Sequence, residues 1–238
     1  MFRKIHNWLK ACPKFIHLCW MFTWLGLSIP PYFIGGTGDI WEIGFRICTA
    51  PGDNSDPDDT GTHTWLASGV DATGIEKGQE IFLRFCMQEV SSADVNNGVY
   101  ELRYDIGDTP ATGTKVTTST GVVRIVNDPE DAVADFAVTN ESLIGGTGSQ
   151  ENGQHIDASD QTGKIDIGAD NHAEIQFCVA FQADADDEEE YFFFLWKDGA
   201  PVDTYTATAS VTTAAAPEGG PRGPLGQPFK GPFEGPIS

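Results

Sequence analysis

Two runs of carboxylates are the side chains best suited to chemistry. Asp53, Asp56, Asp58 and Asp59 crowd the segment GDNSDPDDTG, and Asp184, Asp186 and Asp187 run into Glu188, Glu189 and Glu190 ahead of Tyr191. Alternating carboxylates in a Gly/Pro loop are the hard oxygen donors that Ca²⁺ takes. Asp53, Asp56, Asp58, Asp184 and Asp186 are therefore the candidate ligands, and Ca²⁺ is the one cofactor left open. Neither run has the twelve-residue spacing of an EF-hand loop, and a chain with 35 Asp+Glu against 14 Lys+Arg places acids in its loops in any case. Solvated acidic loops are the preferred reading, so no cofactor is expected.

Other chemistry is poorly served. The chain holds no G-x-S-x-G, no H-E-x-x-H, no P-loop lysine and no paired C-x-x-C. IGGTG occurs at Ile34–Gly38 and again at Ile144–Gly148, but neither copy sits between a strand and a helix, the context that aims a helix dipole at phosphate. Both read as tight turns. Five cysteines, Cys12, Cys19, Cys48, Cys86 and Cys178, make an odd and poor disulfide framework. Burial as small apolar side chains is expected for Cys86 and Cys178, and a bridge between them would require neighbouring strands. A catalytic role is not expected. The formal charge of −21 also argues against nucleic acid as a partner, which requires clustered Lys and Arg.

The elements that must position these residues follow period two. Ile81, Leu83, Phe85 and Met87 alternate in IFLRFCMQ, and Tyr100, Leu102 and Tyr104 alternate in YELRY. Further strands are expected over 40–48, 62–67, 115–126, 173–183, 191–196 and 202–213, where Thr and Val suit half-buried strands. No helical period stands out. The expected fold is an all-β antiparallel sandwich, immunoglobulin-like or jelly-roll-like, of about ten strands. At an offset of 92 residues the chain also resembles itself. Phe85-Cys86 meets Phe177-Cys178, Ala93-Asp94 meets Ala185-Asp186, and Leu102 and Tyr104 fall on Phe194 and Trp196. This predicts pseudo-repeats over about 64–130 and 156–213, with Leu83, Phe85, Met87, Ile175, Phe177 and Val179 in one core and Tyr100, Leu102, Phe194 and Trp196 beside them.

The body, 37–214, lies between two arms of different character. Residues 1–36 hold Arg3, Lys4, Lys10 and Lys14 and no acid, then an apolar run from Phe15 to Ile29. Fifteen residues are short for a bilayer span but fit the apolar stretch of an export signal. The alternatives are a membrane anchor or a docking arm that buries Trp20 and Trp24 against a partner. Residues 215–238 fall into tetrads ending in proline, PRGP, LGQP, FKGP and FEGP, with Leu225, Phe229, Phe233 and Ile237 four apart. Proline at every fourth place forbids regular helix. Such a tail is either a flexible linker or an extended segment whose apolar anchors dock on a neighbour.

The strand pair IFLRFCMQE and VYELRYDIG, followed by a Thr-rich strand and VVRIVND, resembles β-sandwich modules in structural proteins of tailed bacteriophages, over roughly residues 60–213. The resemblance implies a non-catalytic virion component (capsid decoration, tail or fibre) that works with other protein subunits in an oligomeric assembly. The alternative is an exported cell-surface or adhesive module, secreted or surface-bound, with carbohydrate as a candidate ligand and membrane contact through the amino-terminal arm.

Overall fold

The computed structural model describes residues 39–52, 55–128 and 133–216. Seventeen strands follow one another among them: β1 (Ile40–Ala50), β2 (Thr64–Trp65), β3 (Ala72–Ile75), β4 (Glu80–Glu89), β5 (Val95–Gly98), β6 (Tyr100–Asp105), β7 (Thr114–Lys115), β8 (Val123–Ile125), β9 (Val138–Thr139), β10 (Gln150–Glu151), β11 (Gly153–Ile156), β12 (Ile165–Ile167), β13 (His172–Phe181), β14 (Glu190–Lys197), β15 (Ala200–Pro201), β16 (Thr204–Tyr205) and β17 (Ala209–Thr213). One 3₁₀ turn, Pro110–Thr112, is the helical element described. The fold is all-β and sandwich-like, as its alternating pattern requires.

The larger sheet is built on β4, which pairs antiparallel with β1 on one side and β13 on the other. Beyond β13 lie β8, antiparallel, and β10 and β11, parallel; β11 carries β9, and β1 carries β2 and β16. The second sheet runs β3-β17-β14-β6-β7, with β15 added to β14. A separate pair joins β5 and β12. Successive side chains on a strand point to opposite faces. Ile81, Leu83, Phe85 and Met87 of β4, with Ile175, Phe177 and Val179 of β13, therefore meet Tyr100 and Leu102 of β6 and Tyr191, Phe193 and Leu195 of β14 in one core.

Two expected members of that core face the other way. Pairing of β14 with β6 sets Leu195 opposite Leu102 and Phe193 opposite Tyr104, and residues directly opposite share a face. Phe194 is buried but lies on the outward face, and half-buried Trp196 lies there too, stacked on Arg103. Between β4 and β13 positions 92 apart keep the same phase, with Leu83, Phe85 and Met87 and likewise Ile175, Phe177 and Val179 facing the core. In β14 it slips by one residue, which moves every side chain to the opposite face.

A gap in the second sheet is closed from the first. On one side of β14, β17 pairs with Glu190–Phe193 and β15 with Trp196–Lys197, which passes over Leu195. The Leu195 amide instead donates to Glu42 Oε2 at 3.0 Å, and its carbonyl accepts from the Tyr205 hydroxyl at 2.6 Å. Glu42 is a fully buried carboxyl reaching across from β1. Burial holds it well above the usual carboxylate range, and the Leu195 amide offsets only part of that.

Candidate functional site

The outward face of the larger sheet carries the densest grouping of polar side chains. Phe82, Arg84, Cys86 and Gln88 of β4 stand there beside His172, Glu174, Gln176 and Cys178 of β13, all buried. Chain from the segments after β1 and after β8 lies over them, so this face has a covering layer of loops rather than solvent.

Arg84 is the hub. It is fully buried, and its guanidinium pairs with Glu174 Oε2 at 2.7 Å and Asp58 Oδ1 at 2.6 Å. It also donates to the carbonyls of Glu141 and Pro57 and to Gln176 Oε1. Asp58 Oδ2 in turn accepts the amides of Asn140 and Glu141. One side chain on a central strand therefore ties both covering loops to the sheet.

Glu174 is held as firmly. Besides Arg84, its oxygens accept the amides of Leu143, Ile144 and Gly145 and the Ser142 hydroxyl. The second IGGTG segment is thus an irregular loop, and its amides wrap an anion that belongs to the protein itself. Gly145 and Gly148, at φ of 91° and 71°, supply the left-handed positions this wrapping needs. Gly146 rests flush on the His172 ring, where an added Cβ would lie 2.5 Å from Cγ. His172 reaches the Thr147 carbonyl through Nδ1 at 2.9 Å and Ser142 Oγ through Nε2 at 3.3 Å. Gln88 completes the closure, accepting the Thr147 amide and donating to the carbonyls of Glu89, Asp170 and Asn171.

Cys86, His172 and Glu174 bring a sulfur, a nitrogen and a carboxylate oxygen within 4.8 Å of one another. These types can ligate zinc, but the surroundings do not fit a cation. Glu174 already takes five donors, one of them a guanidinium, and both His172 nitrogens are engaged. Burial, with Glu174 as a further cause, pushes the Cys86 thiol up, away from the thiolate a metal requires. The arrangement is a polar clamp.

A second buried group lies nearby. Phe82 takes the edges of His63 and His155, each with ring centroids 5.2 Å from its own. His155 is fully buried, meets Gln176 through Nδ1 at 2.9 Å, and has no partner at Nε2. Burial lowers its pKa to about 3. Cys48, Phe82 and Cys178 form a small apolar cluster with Trp65 and Val126. Cys48, Cys86 and Cys178 are free thiols. β4 and β13 are neighbours, but Cys86 faces Glu174 and Cys178 faces Phe82, so the two sulfurs stand four residues out of register.

Among the described residues, Asp56, Asp58, Asp184 and Asp186 do not join a group of three or more side chains placed to hold a metal ion. Asp58 sits on Arg84, while Asp56 Oδ1 accepts the Asp58 amide and Asp59 closes a turn onto Gly61 and Thr62. Asp184 and Asp186 lie exposed in the connection from β13 to β14, where the Asp186 amide meets the Tyr191 hydroxyl and neighbouring Asp187 pairs with Lys77. Asp53 is outside the described residues, as are the docking candidates Trp20, Trp24, Leu225, Phe229, Phe233 and Ile237. Among the described residues no helix is long and apolar enough to cross a membrane.

The clamp itself was not anticipated from sequence. Its one signal is a charge within each of two largely apolar strands, Arg84 in IFLRFCMQE and Glu174 in HAEIQFCVAF, opposite in sign and on the face that alternation assigns to solvent. No family model, no curated protein and no solved structure matches this chain.

Proposed function

We propose that the protein is a non-catalytic structural subunit of a larger assembly, of the virion type its strand motifs resemble, and that its terminal arms contact neighbouring subunits. One observation carries this reading. The groups that could do chemistry, Arg84, Glu174, His172 and Asp58, are turned inward and engaged by the protein's own loops. The body spends its polar chemistry on fixing a rigid scaffold. Contacts to neighbours are assigned instead to the arms, whose sequences carry Trp20, Trp24, Phe229 and Phe233, aromatic side chains that gain most from burial.

Intact mass and sedimentation of the natural protein test this together. A full-length chain within a fast-sedimenting complex is the expected result. A chain shorter by about 28–36 residues, the length of an export signal, recovered as a lone surface or secreted species, overturns it in favour of the exported module.

A further inference from the structure

Two histidines share the Phe82 ring under the loops that cover the larger sheet, and the hydrogen bonds around them fix where their protons sit. Arg84 has donors only, so the Gln176 atom that accepts from it at 3.3 Å is the amide oxygen, and the other terminus is the NH₂ group. That NH₂ group points at His155 Nδ1 at 2.9 Å, which makes Nδ1 an acceptor and places the ring's proton on Nε2. His155 is fully buried, and its Nε2 has no partner. His63 offers it no acceptor. The His63 Nδ1 accepts the Gly52 amide at 2.8 Å, so its Nε2 donates to the Asp56 carbonyl at 3.2 Å.

A second proton on His155 has no place in this arrangement. It would set an Nδ1–H against the Gln176 NH₂ group, and turning Gln176 over would set that group against Arg84. The charges around the ring do not compensate. His63 and Arg84 disfavour the cation, while Asp135, which favours it, is occupied by the amides of Asp157 and Ala158 and by the Ser159 hydroxyl. Burial is the largest cause and brings the ring from 6.5 to about 3.

We infer that His155 is an acid-sensitive latch on the covering loops: it takes up a proton only once the segments after β1 and after β8 have lifted from the Phe82–Arg84 face, so acid populates the lifted state. Lifting removes Asp58 and the Pro57 and Glu141 carbonyls from Arg84, admits water there, and lets Gln176 turn to accept from a charged ring. It also uncovers Cys48 and Cys178, which pack with Phe82 against Trp65 from the first segment and Val126 from the second. The latch works within one chain and is independent of what the arms contact.

The full-length protein tests it through those two thiols. Labelling by a dipyridyl disulfide, which reacts with thiols in acid, is mapped to Cys48 and Cys178 by peptide mass. Wild type is compared with His155→Asn, whose amide keeps an acceptor for Gln176 and takes no proton. From pH 7 to pH 5 the wild-type rate, divided by that of His155→Asn at the same pH, should rise at least about tenfold, because uptake at the ordinary histidine value in the lifted state favours lifting by more than that. Equal pH dependence in the two proteins overturns the latch and assigns acid opening to the carboxylates. Wild-type thiols that stay protected throughout overturn it as well. If asparagine itself loosens the cover at pH 7, deuterium exchange at His155 Cε1 of wild type decides, since that exchange follows the ring's own titration. A midpoint at least about one pH unit below the ordinary 6.5 supports the latch. A midpoint near 6.5 with both thiols still protected shows that the closed structure accepts the proton, and overturns it.

Discussion

Arg84 faces two carboxylates in a space that excludes water, and Glu174 faces five donors. Such a group is far more costly to remove singly than its net contribution suggests, because the partners stay behind desolvated. Glu174→Ala would strand Arg84 and the amides of residues 143–145, with an expected loss of about 3–5 kcal/mol, or about 6–20 °C in Tm for a domain of this size. The vacated space would be lined by the Arg84 guanidinium and the amides of residues 143–145. Formate should therefore raise the Tm of Glu174→Ala more than that of wild type, since a ligand that binds only the folded state stabilises it; equal shifts in the two proteins would show that the loop does not hold its shape without Glu174.

Glu42 makes the opposite demand. Burial holds its carboxyl well above the ordinary value, near 4.5, at which it ionises in the unfolded chain. A raised folded pKa means that stability is withdrawn as pH rises above the unfolded value. Glu42→Gln keeps an acceptor for the Leu195 amide and does not ionise. The variant should melt above wild type at neutral pH, and the difference should shrink as the pH approaches 4. Identical melting curves at neutral pH would mean that the carboxyl is not held neutral.

At the level of strands and loops, alternation was a faithful guide where one face is apolar throughout. It placed Leu83, Phe85, Met87, Ile175, Phe177 and Val179 in the core. It failed in YFFFLWK, where every residue from Tyr191 to Trp196 is apolar and either phase satisfies the pattern; only pairing with β6 selects Tyr191, Phe193 and Leu195. The short strands β9 to β12 were not foreseen, because two to four residues are too few to display a period. The clamp was hidden for a different reason: Arg84 and Glu174 occupy places that alternation gives to solvent, and the loops that cover them leave no periodic trace. The acidic loop after β1 has the composition of a Ca²⁺ loop, and within it Asp58 serves Arg84 and Asp59 closes its own turn. Chelation should therefore leave Tm unchanged. A fall of several degrees on adding EGTA, reversed by Ca²⁺, would show that the Asp53–Asp59 or Asp184–Glu190 segment does bind the ion.

For the molecule as a whole, the body closes its core with strands that all lie between Asp39 and Ala216. Removing residues 1–34 and 217–238 should leave a folded body with an unchanged β-type circular dichroism spectrum and a Tm within a few degrees of the full chain. Unfolding of the trimmed chain would make the arms part of the domain. The two arms also leave from opposite ends of the sandwich. β1 begins beside the end of β4, where Ile40 faces Glu89, whereas β17 ends beside the start of β14, where Thr212 faces Glu190.

The Arg84–Glu174 pair spans 90 residues of chain, and that separation sets an order of events at the ribosome. At about 5–20 residues per second, the arginine waits roughly 5 to 20 seconds for its carboxylate to be synthesised. During that interval β4 has β1 to pair with but lacks β13, and the guanidinium has the Asp58 loop and then the Glu141 carbonyl but not Glu174 or Gln176. A first half that folded early would have to desolvate Arg84 with its partners incomplete, a cost that buried charges repay only when paired. The clamp is therefore a contact that the first half of the body cannot complete without the second.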